Sequence, residues 1–173
     1  MTSSVPTTPQ MLFHVLDDLK IEYKTTRHPP AFTVEEGNKH WGNIPGVHCK
    51  NLFLKDAKGK LWLIVAPANA SINLKTLPQR IGSKRLSFGN ENLLFDVLGI
   101  HPGSVTPFSV INDKENKVSV VLDKSMMQSN FINYHPLENT ATTTLTPEGL
   151  KTFLRYCKHD FQIVDVIETE QNT

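Results

Sequence analysis

Residues 47–56 read VHCKNLFLKD and residues 61–66 read LWLIVA, and these two stretches decide the fold. In the first, apolar side chains occupy both alternating sets of positions, which is typical of a central strand covered on both faces. The second is the longest apolar run in the chain and suits a buried strand. The turn residues DAKG at positions 56–59 predict that the two strands form a hairpin. A sheet that contains hairpins is not purely parallel.

Working outward from this hairpin, the sequence predicts about eight strands and five helices. Capped helix starts are predicted at Thr8, Thr33, Asn90 and Thr146. The other predicted elements are a short helix at residues 74–81 and strands at residues 21–25, 85–88, 108–112, 118–123, 131–134, 140–145 and 161–167, with 108–112 and 118–123 forming a second hairpin. We expect an α+β fold: one domain over residues 1–173, with its core at about 11–166 and a mixed, strongly curved, barrel-like sheet flanked by helices.

The composition is that of a globular protein, with 39% hydrophobic and 20% charged residues. Lys+Arg number 18 and Asp+Glu 17, so any RNA-binding groups must be concentrated locally. Two cysteines without a CxxC spacing indicate a reducing compartment. Residues 1–10 lack the pattern of a secretory signal, and no apolar run is long enough to cross a bilayer. We therefore expect a soluble, cytoplasmic protein with no membrane partner.

Several chemistries lack their motifs in this chain. The seven histidines form no HxxxH, HExxH or Cys/His cluster, so the sequence supports no metal site. GxGxxG, GxxxxGK[ST] and GxSxG are all missing, and we expect no cofactor. Cys49 is interpreted as a core residue, because on a regular strand its side chain points away from that of Lys50.

Lys50 is unusual because it lies within an otherwise apolar strand, where an unpaired ammonium is costly. By alternation it shares a face with Leu52 and Leu54. Either its side chain extends along the strand to reach water, or its ammonium lies at a pocket mouth and meets a phosphate or a developing oxyanion. The residues alone leave both interpretations open.

Two loops also carry groups suited to a site. In the segment GSVTP, residues 103–107, a glycine followed by a small polar residue allows backbone N–H groups to face an anion or a carbonyl. His135 precedes Pro136 at a predicted strand break, and Asn139 and residues 140–144 follow it. Histidine can donate, accept or change charge near neutral pH. Both segments are also typical of ordinary connecting loops.

A basic segment follows the first hairpin. It contains four cations and no acid between positions 75 and 85: Lys75, Arg80, Lys84 and Arg85. With Lys55, Lys58 and Lys60 of the hairpin, these residues suit either a rim for an RNA backbone or a solvated face.

Together, these features occur in a fixed order: His28-Pro29 with Thr33, KNLFL at 50–54, GSVTPF at 103–108, and His135-Pro136 before Asn139, Ala141 and Thr142. This order resembles the YbaK family of aminoacyl-tRNA deacylases, which also occurs as the editing insertion of bacterial prolyl-tRNA synthetase. Within the family the chain is most similar to the free-standing alanyl-tRNA(Pro) deacylases. The resemblance covers about residues 11–166.

The resemblance implies a YbaK-like fold and a site. Lys50 matches the family's essential lysine, which contacts the terminal nucleotide of the tRNA, and Asn51 matches its polar neighbour. Gly103, Ser104 and the rest of the loop match the segment whose backbone positions the ester and the attacking water, and His135 matches the histidine beside the aminoacyl pocket. The predicted substrate-binding residues are Phe32, Phe53, Thr106, Pro107, Asn139 and Thr142, and the predicted tRNA-binding residues are Lys75, Arg80, Lys84 and Arg85.

The implied activity is hydrolysis of mischarged alanyl-tRNA(Pro), with tRNA and prolyl-tRNA synthetase as partners of a monomer or weak homodimer. An aminoacyl ester is already activated, so the reaction needs positioning and carbonyl stabilisation rather than a strong nucleophile. Three alternatives stay open: a deacylase for cysteinyl-tRNA(Pro) or another small misacylated tRNA, a non-catalytic module that binds RNA or a synthetase, and a small-molecule binding protein. We expect Lys50, the Gly103 loop and His135 to surround one small cavity.

Overall fold

The computed structural model describes residues 5–30 and 44–168. These contain the α-helices α1 (Pro9–Asp18), α2 (Leu77–Ile81), α3 (Glu91–Leu98) and α4 (Pro147–Tyr156), and the 3-10 helices Pro107–Asn112 and Met126–Gln128. The strands are β1 (Tyr23–Arg27), β2 (Val47–Asp56), β3 (Leu61–Pro67), β4 (Leu86–Phe88), β5 (Val118–Asp123), β6 (Ile132–Tyr134), β7 (Ala141–Leu145) and β8 (Phe161–Val164). The helix predicted to start at Thr33 lies outside the described residues.

The strands form one mixed sheet of eight strands in the order β1-β7-β6-β2-β3-β5-β8, with β4 beside β2. The pairs β1/β7, β6/β7, β2/β3 and β2/β4 are antiparallel, and the pairs β2/β6, β3/β5 and β5/β8 are parallel. The predicted hairpin of β2 and β3 is confirmed, and so is the predicted fold class. No helix in the described parts of the chain combines the length and apolarity that a membrane span requires.

The predicted second hairpin is wrong. Residues Pro107–Asn112 form a 3-10 helix, and β5 pairs with β3 in parallel instead. Thr106 caps this helix by accepting a hydrogen bond from the backbone N–H of Phe108, and Pro107 supplies the preset backbone angle of a first turn. The run from Pro107 to Ile111 is buried all round. Periodicity alone does not separate a short buried helix from a buried strand.

The predicted helix caps are confirmed at Thr8, Asn90 and Thr146, each of which accepts a hydrogen bond from the first turn. Several boundaries shift, among them the starts of β1 and α2 and the end of β8. β1 starts at residue 23 because the N–H of Ile21 still bonds the carbonyl of Leu16 at the end of α1. α2 starts at residue 77, after a turn closed by the Asn73 side chain, and β8 ends at residue 164.

β2 is covered on both faces, as its sequence predicts. Phe53, on one face, belongs to the larger apolar core, which also contains helices α1, α3 and α4. Leu54, on the other face, belongs to a smaller core with Trp62 and Ile64 of β3 and with α2. Neighbouring residues of β2 therefore belong to different cores.

Candidate active site

The candidate site lies at an interruption in strand pairing along β2. β3 occupies one edge of β2 over residues 49–55. On the other edge, β6 pairs with Val47 and His48, and β4 pairs with residues 54–56. Among the described strands, none pairs with the interval between them. A small cavity at this interval is lined by residues of β2, β6 and β7 and the turn after β6: His48, Cys49, Asn51, Asn133, Tyr134, His135 and Thr142.

Asn51 presents an unsatisfied polar atom at this cavity. Its side-chain oxygen Oδ1 is buried and has no hydrogen-bond partner within residues 5–30 and 44–168. An unmade hydrogen bond at a buried polar group costs about 1–3 kcal/mol. Such exceptions are rare in folded proteins, and each calls for an explanation. A ligand that donates a hydrogen bond at this position would satisfy Asn51.

His135 contributes a basic nitrogen to the same cavity. Its Nδ1 lies 3.0 Å from the carbonyl oxygen of Ala141. Because a carbonyl only accepts, Nδ1 carries the proton of the neutral ring, and Nε2 is left with its lone pair. The pKa of His135 is lowered overall. Burial is the main cause, the hydrogen bond to Ala141 raises the pKa in part, and the charge of His28 lowers it further. His135 is therefore neutral at pH 7 and able to accept a proton.

His28 contacts Thr142, which lines the cavity. Its Nε2 lies 2.7 Å from the hydroxyl of Thr142, and its Nδ1 lies 2.8 Å from the carbonyl oxygen of Pro29. The rings of His28 and His135 are 6.3 Å apart, centroid to centroid. Thr142 is buried and lines the cavity, and its predicted contact with the substrate stays a prediction. Sequence reasoning included His28 in the resemblance but assigned it no role.

Asn133 was missed by the sequence analysis. Its Nδ2 donates to the carbonyls of Pro45 (3.0 Å) and Val47 (3.2 Å), and its Oδ1 accepts from the hydroxyl of Thr144. These bonds join β6 to β7 and to the start of β2, so Asn133 fixes the frame of the cavity. The only available signal was an asparagine at the centre of an apolar strand, which requires partners when buried.

Cys49 also faces the cavity, but as a thiol. Burial raises its pKa to about 12, although hydrogen bonds with Tyr134 and the backbone at Asn133 lower it in part. A thiol that stays protonated is a poor nucleophile. The core interpretation of Cys49 therefore stands, and the cavity offers acceptors and hydroxyl groups rather than a strong nucleophile.

Lys50 lies on the opposite face of β2 from Asn51. Its ammonium donates to the carbonyl oxygen of Ala70, which follows β3 and belongs to the smaller core. Partial burial lowers the pKa of Lys50. Lys50 does not line the described cavity. Its predicted contact with the terminal nucleotide stays a prediction, and reaching that nucleotide would require the ammonium to leave Ala70.

The loop at residues 103–107 is well ordered by its own contacts. Gly103 has a φ of 94°, a left-handed conformation that favours glycine. Ser104 donates its backbone N–H to the carbonyl of His101 at 3.1 Å. Thr106 and Pro107 are buried at the start of the 3-10 helix, where Thr106 acts as the cap. None of these residues lines the described cavity, and neither does Lys50, so the expected grouping of Lys50, this loop and His135 around one cavity is not found there. Their predicted contacts with substrate stay predictions.

The remaining predicted substrate residues lie apart from the cavity or outside the description. Phe53 is 5% exposed and packs in the larger core, with its ring directly beneath Gly89. A Cβ added to Gly89 would lie 2.5 Å from that ring, so glycine is needed there. Asn139 is half-buried in the turn between β6 and β7. Phe32 lies outside the described residues.

Comparison with known protein families decides the kind of site. The profile of the family described as "Aminoacyl-tRNA editing domain" matches residues 28–153, which include His28, β2, the Gly103 loop, His135 and Thr142. The chain belongs to this family. It is accordingly a hydrolase of aminoacyl-tRNA esters, as the resemblance implied.

Individual relatives of this editing domain have names that refer to editing or to prolyl-tRNA synthetase. The "Prolyl-tRNA editing protein ProX" of Acetoanaerobium sticklandii is 38% identical over 91% of this chain and 96% of its own length. The "Prolyl-tRNA synthetase associated domain-containing protein 1" of Danio rerio is 37% identical over 83% of this chain and 79% of its own. The solved structure "Crystal structure of a putative trans-editing enzyme for prolyl tRNA synthetase" has a TM-score of 0.70 at 16% identity, and covers 94% of this chain and 99% of that one. At that identity the likeness shows the fold.

The predicted tRNA-binding residues of the editing domain differ in what their side chains contact. The guanidinium of Arg80 donates to the carbonyls of Asp165 (2.9 Å) and Ile167 (3.1 Å) and so holds the C-terminal segment. Lys75 and Lys84 are exposed. Arg85 is exposed and, together with Lys55, lines a second cavity of about 280 Å³ beside β4.

Proposed function

We propose that this editing domain hydrolyses the ester of mischarged alanyl-tRNA(Pro) in trans. The observation that carries the proposal is the buried, unpartnered oxygen of Asn51 in a cavity that also contains His135. The names of the relatives support tRNA(Pro) as the substrate RNA. One relative is a prolyl-tRNA editing protein, and others carry a domain associated with prolyl-tRNA synthetase. The partners proposed for this chain are therefore the aminoacylated end of tRNA(Pro) and prolyl-tRNA synthetase, in the cytoplasm.

The chemistry needs one well-placed water. The cavity is small, with a volume of about 10 Å³, which is room for about one water molecule. A water there donates one hydrogen to Oδ1 of Asn51 and the other to Nε2 of His135. Its lone pair is then directed at the ester carbonyl, and this positioning supplies much of the rate enhancement for an ester that is already activated.

The proton follows a simple route. As the water oxygen bonds to the carbonyl carbon, Nε2 of His135 takes its proton. When the tetrahedral intermediate collapses, the bond between that carbon and the ribose oxygen breaks, and His135 returns the proton to the ribose oxygen. The products are free alanine and tRNA. Lys50 and the loop at residues 103–107 are proposed to hold the terminal nucleotide and the developing negative charge.

Selection for alanine is proposed to rest on size. A synthetase site that accepts proline loses only about 1–3 kcal/mol for each missing methylene, so it also charges alanine at a low rate. The side chain of the substrate is proposed to lie at the mouth of this cavity, in a space that admits a methyl group and excludes the proline ring. This small space thus complements the larger site of the synthetase.

A hydrolysis assay on tRNA(Pro) charged separately with alanine, cysteine, serine and proline tests the proposal. We expect alanyl-tRNA(Pro) to be hydrolysed at least ten times faster than prolyl-tRNA(Pro), since a single-methylene difference already approaches that factor. Preference for cysteinyl-tRNA(Pro) would keep the deacylase and replace the substrate. Absence of hydrolysis for all four would contradict the proposal and favour a binding module.

A further inference from the structure

A second cavity on the same sheet is lined by two positively charged side chains that have no hydrogen-bond or ion-pair partner among the described residues. It lies where β2 pairs with β4, has a volume of about 280 Å³, and is lined by Lys55 and Arg85 together with Ser87 and Asn90. Both cationic side chains are exposed, and neither makes a hydrogen bond or ion pair with any residue in the described parts of the chain. The nearby Arg80, by contrast, is engaged with two backbone carbonyls.

The one acid in the lining does not neutralise this pair. Asp56 is 6% exposed, and its carboxylate accepts hydrogen bonds from the backbone N–H groups of Lys58, Lys60 and Lys84 and from the indole of Trp62. Burial alone would raise the pKa of Asp56, but these four bonds lower it overall. The carboxylate is therefore ionised, and its oxygens already accept hydrogen bonds from within the protein. The outward-facing polar groups of the cavity are therefore mainly cationic.

The position of Lys55 relates this cavity to the candidate active site. Lys55 lies four residues after Asn51 on the same strand, and residues separated by an even number share a face. At about 3.3 Å per residue the two positions are about 13 Å apart. A stacked strand rises about 3.4 Å along its axis for each nucleotide, so the phosphate that lies about 13 Å from the terminal nucleotide is roughly four nucleotides upstream.

We propose that Lys55 and Arg85 form a phosphate-binding subsite for the 3′ strand of the RNA substrate, a few nucleotides before its terminal adenosine. This inference rests on the proposed function, because it takes the terminal nucleotide to be bound at the mouth of the Asn51 cavity. A flexible ammonium and a planar guanidinium on one wall suit the oxygens of one or two phosphates. The subsite holds the strand in register while the ester lies at the mouth of the small cavity.

The test is a salt titration of binding to uncharged tRNA(Pro), comparing the wild type with the double variant Lys55→Ala/Arg85→Ala. Loss of two phosphate contacts is expected to weaken binding roughly tenfold at low salt, and to reduce the slope of log affinity against log salt by about 1–2. The matched control is Lys24→Ala/Lys124→Ala, which removes the same charge from exposed residues away from this cavity. An unchanged slope in the first variant, or an equal loss in the control, overturns the subsite.

Kinetics separate this inference from the proposed function. With alanyl-tRNA(Pro) we expect the double variant to have a raised KM and an unchanged kcat. With the alanyl ester of adenosine, which has no upstream phosphate, we expect both parameters to equal those of the wild type. A wild type that hydrolyses neither ester contradicts the proposed function, and the salt titration still decides the subsite. A lowered kcat on alanyl-adenosine contradicts the subsite.

Discussion

The two faces of β2 treat neighbouring polar residues in opposite ways. Lys50 lies beside the smaller core, and its ammonium already donates to the carbonyl of Ala70. Asn51 points to the other side, where its oxygen has no partner among the described residues. In the free protein the Lys50 ammonium therefore already has a hydrogen-bond acceptor, whereas the Asn51 oxygen can still accept a hydrogen bond from a ligand. The difference shows that a polar residue in a strand must be judged by its contacts, because the resemblance implied a site role for both.

The availability of Asn51 gives a physical reason to place the chemistry on its face. A buried acceptor without a partner destabilises the free protein, and a bound water or ligand removes that cost. His135, in the turn after β6, and Thr142, in β7, line the same cavity as Asn51. Lys50 can contribute only if substrate binding offers its ammonium a better acceptor than Ala70.

The largest effect is expected for Lys50→Ala. The resemblance makes this lysine essential, so we expect kcat/KM on alanyl-tRNA(Pro) to fall at least about 100-fold, the usual cost of losing a group that stabilises developing charge. The folded state should survive, with about 1 kcal/mol lost because the buried Ala70 carbonyl loses its donor. Single-turnover hydrolysis and denaturant unfolding measure the two quantities.

Lys50→Met is the matched control because it keeps the apolar stem and removes only the ammonium. It should be as inactive as Lys50→Ala and more stable. If both variants keep activity within twofold of the wild type, Lys50 only joins β2 to Ala70, and the chemistry belongs to the Asn51 face alone.

Asn51→Ala is expected to lower kcat/KM about 10- to 100-fold, because the attacking water loses one of its two acceptors. Its free energy of unfolding should stay the same or rise, since the variant removes a buried group that had no partner. Asn133→Ala is the matched control: the same change there leaves two carbonyls and the Thr144 hydroxyl unpaired, and should cost about 1–3 kcal/mol. A destabilised Asn51→Ala would contradict the assignment of an available oxygen.

The smallest expected effect is a shift in the pH profile. His135 must be neutral to accept a proton, so kcat should rise with pH up to the pKa of His135 and then level off. Burial and the charge of His28 lower that pKa. His28→Gln removes the charge while keeping a polar partner for Thr142, so the inflection should move to higher pH by a fraction of a unit. An inflection that stays in place or moves to lower pH would exclude His135 as the titrating base.

Local structure was largely predictable from sequence, and strand pairing only in part. Threonine and asparagine caps mark their helices because they satisfy backbone groups within a few residues. β2 was predicted with the correct bounds because its apolar pattern is long. The strand predicted at residues 108–112 was wrong because a short apolar run has no period that distinguishes a strand from a helix.

At the candidate site, the motifs of the resemblance were only a partial guide. They include Asn51, His135 and Thr142, which line the cavity, and also Lys50 and the loop at residues 103–107, which do not. Asn133 and His28 were not assigned roles, because their hydrogen bonds connect segments up to 114 residues apart in sequence. Short-range pattern does not encode which distant carbonyl or hydroxyl a side chain will meet.

By itself, the sequence of this editing domain determined the fold class, the helix caps, the two-sided burial of β2 and the family. These follow from periodicity, from capping chemistry and from motifs that are contiguous in the chain. Only the tertiary structure decided that the Lys50 ammonium has a hydrogen-bond partner and that the Asn51 oxygen has none among the described residues. It also decided that β4 and β6 leave an interval on one edge of β2, and that Arg80 binds the backbone of residues 165 and 167. Each of these depends on which segments pack together, and packing of distant segments is determined by the whole fold and not by local pattern.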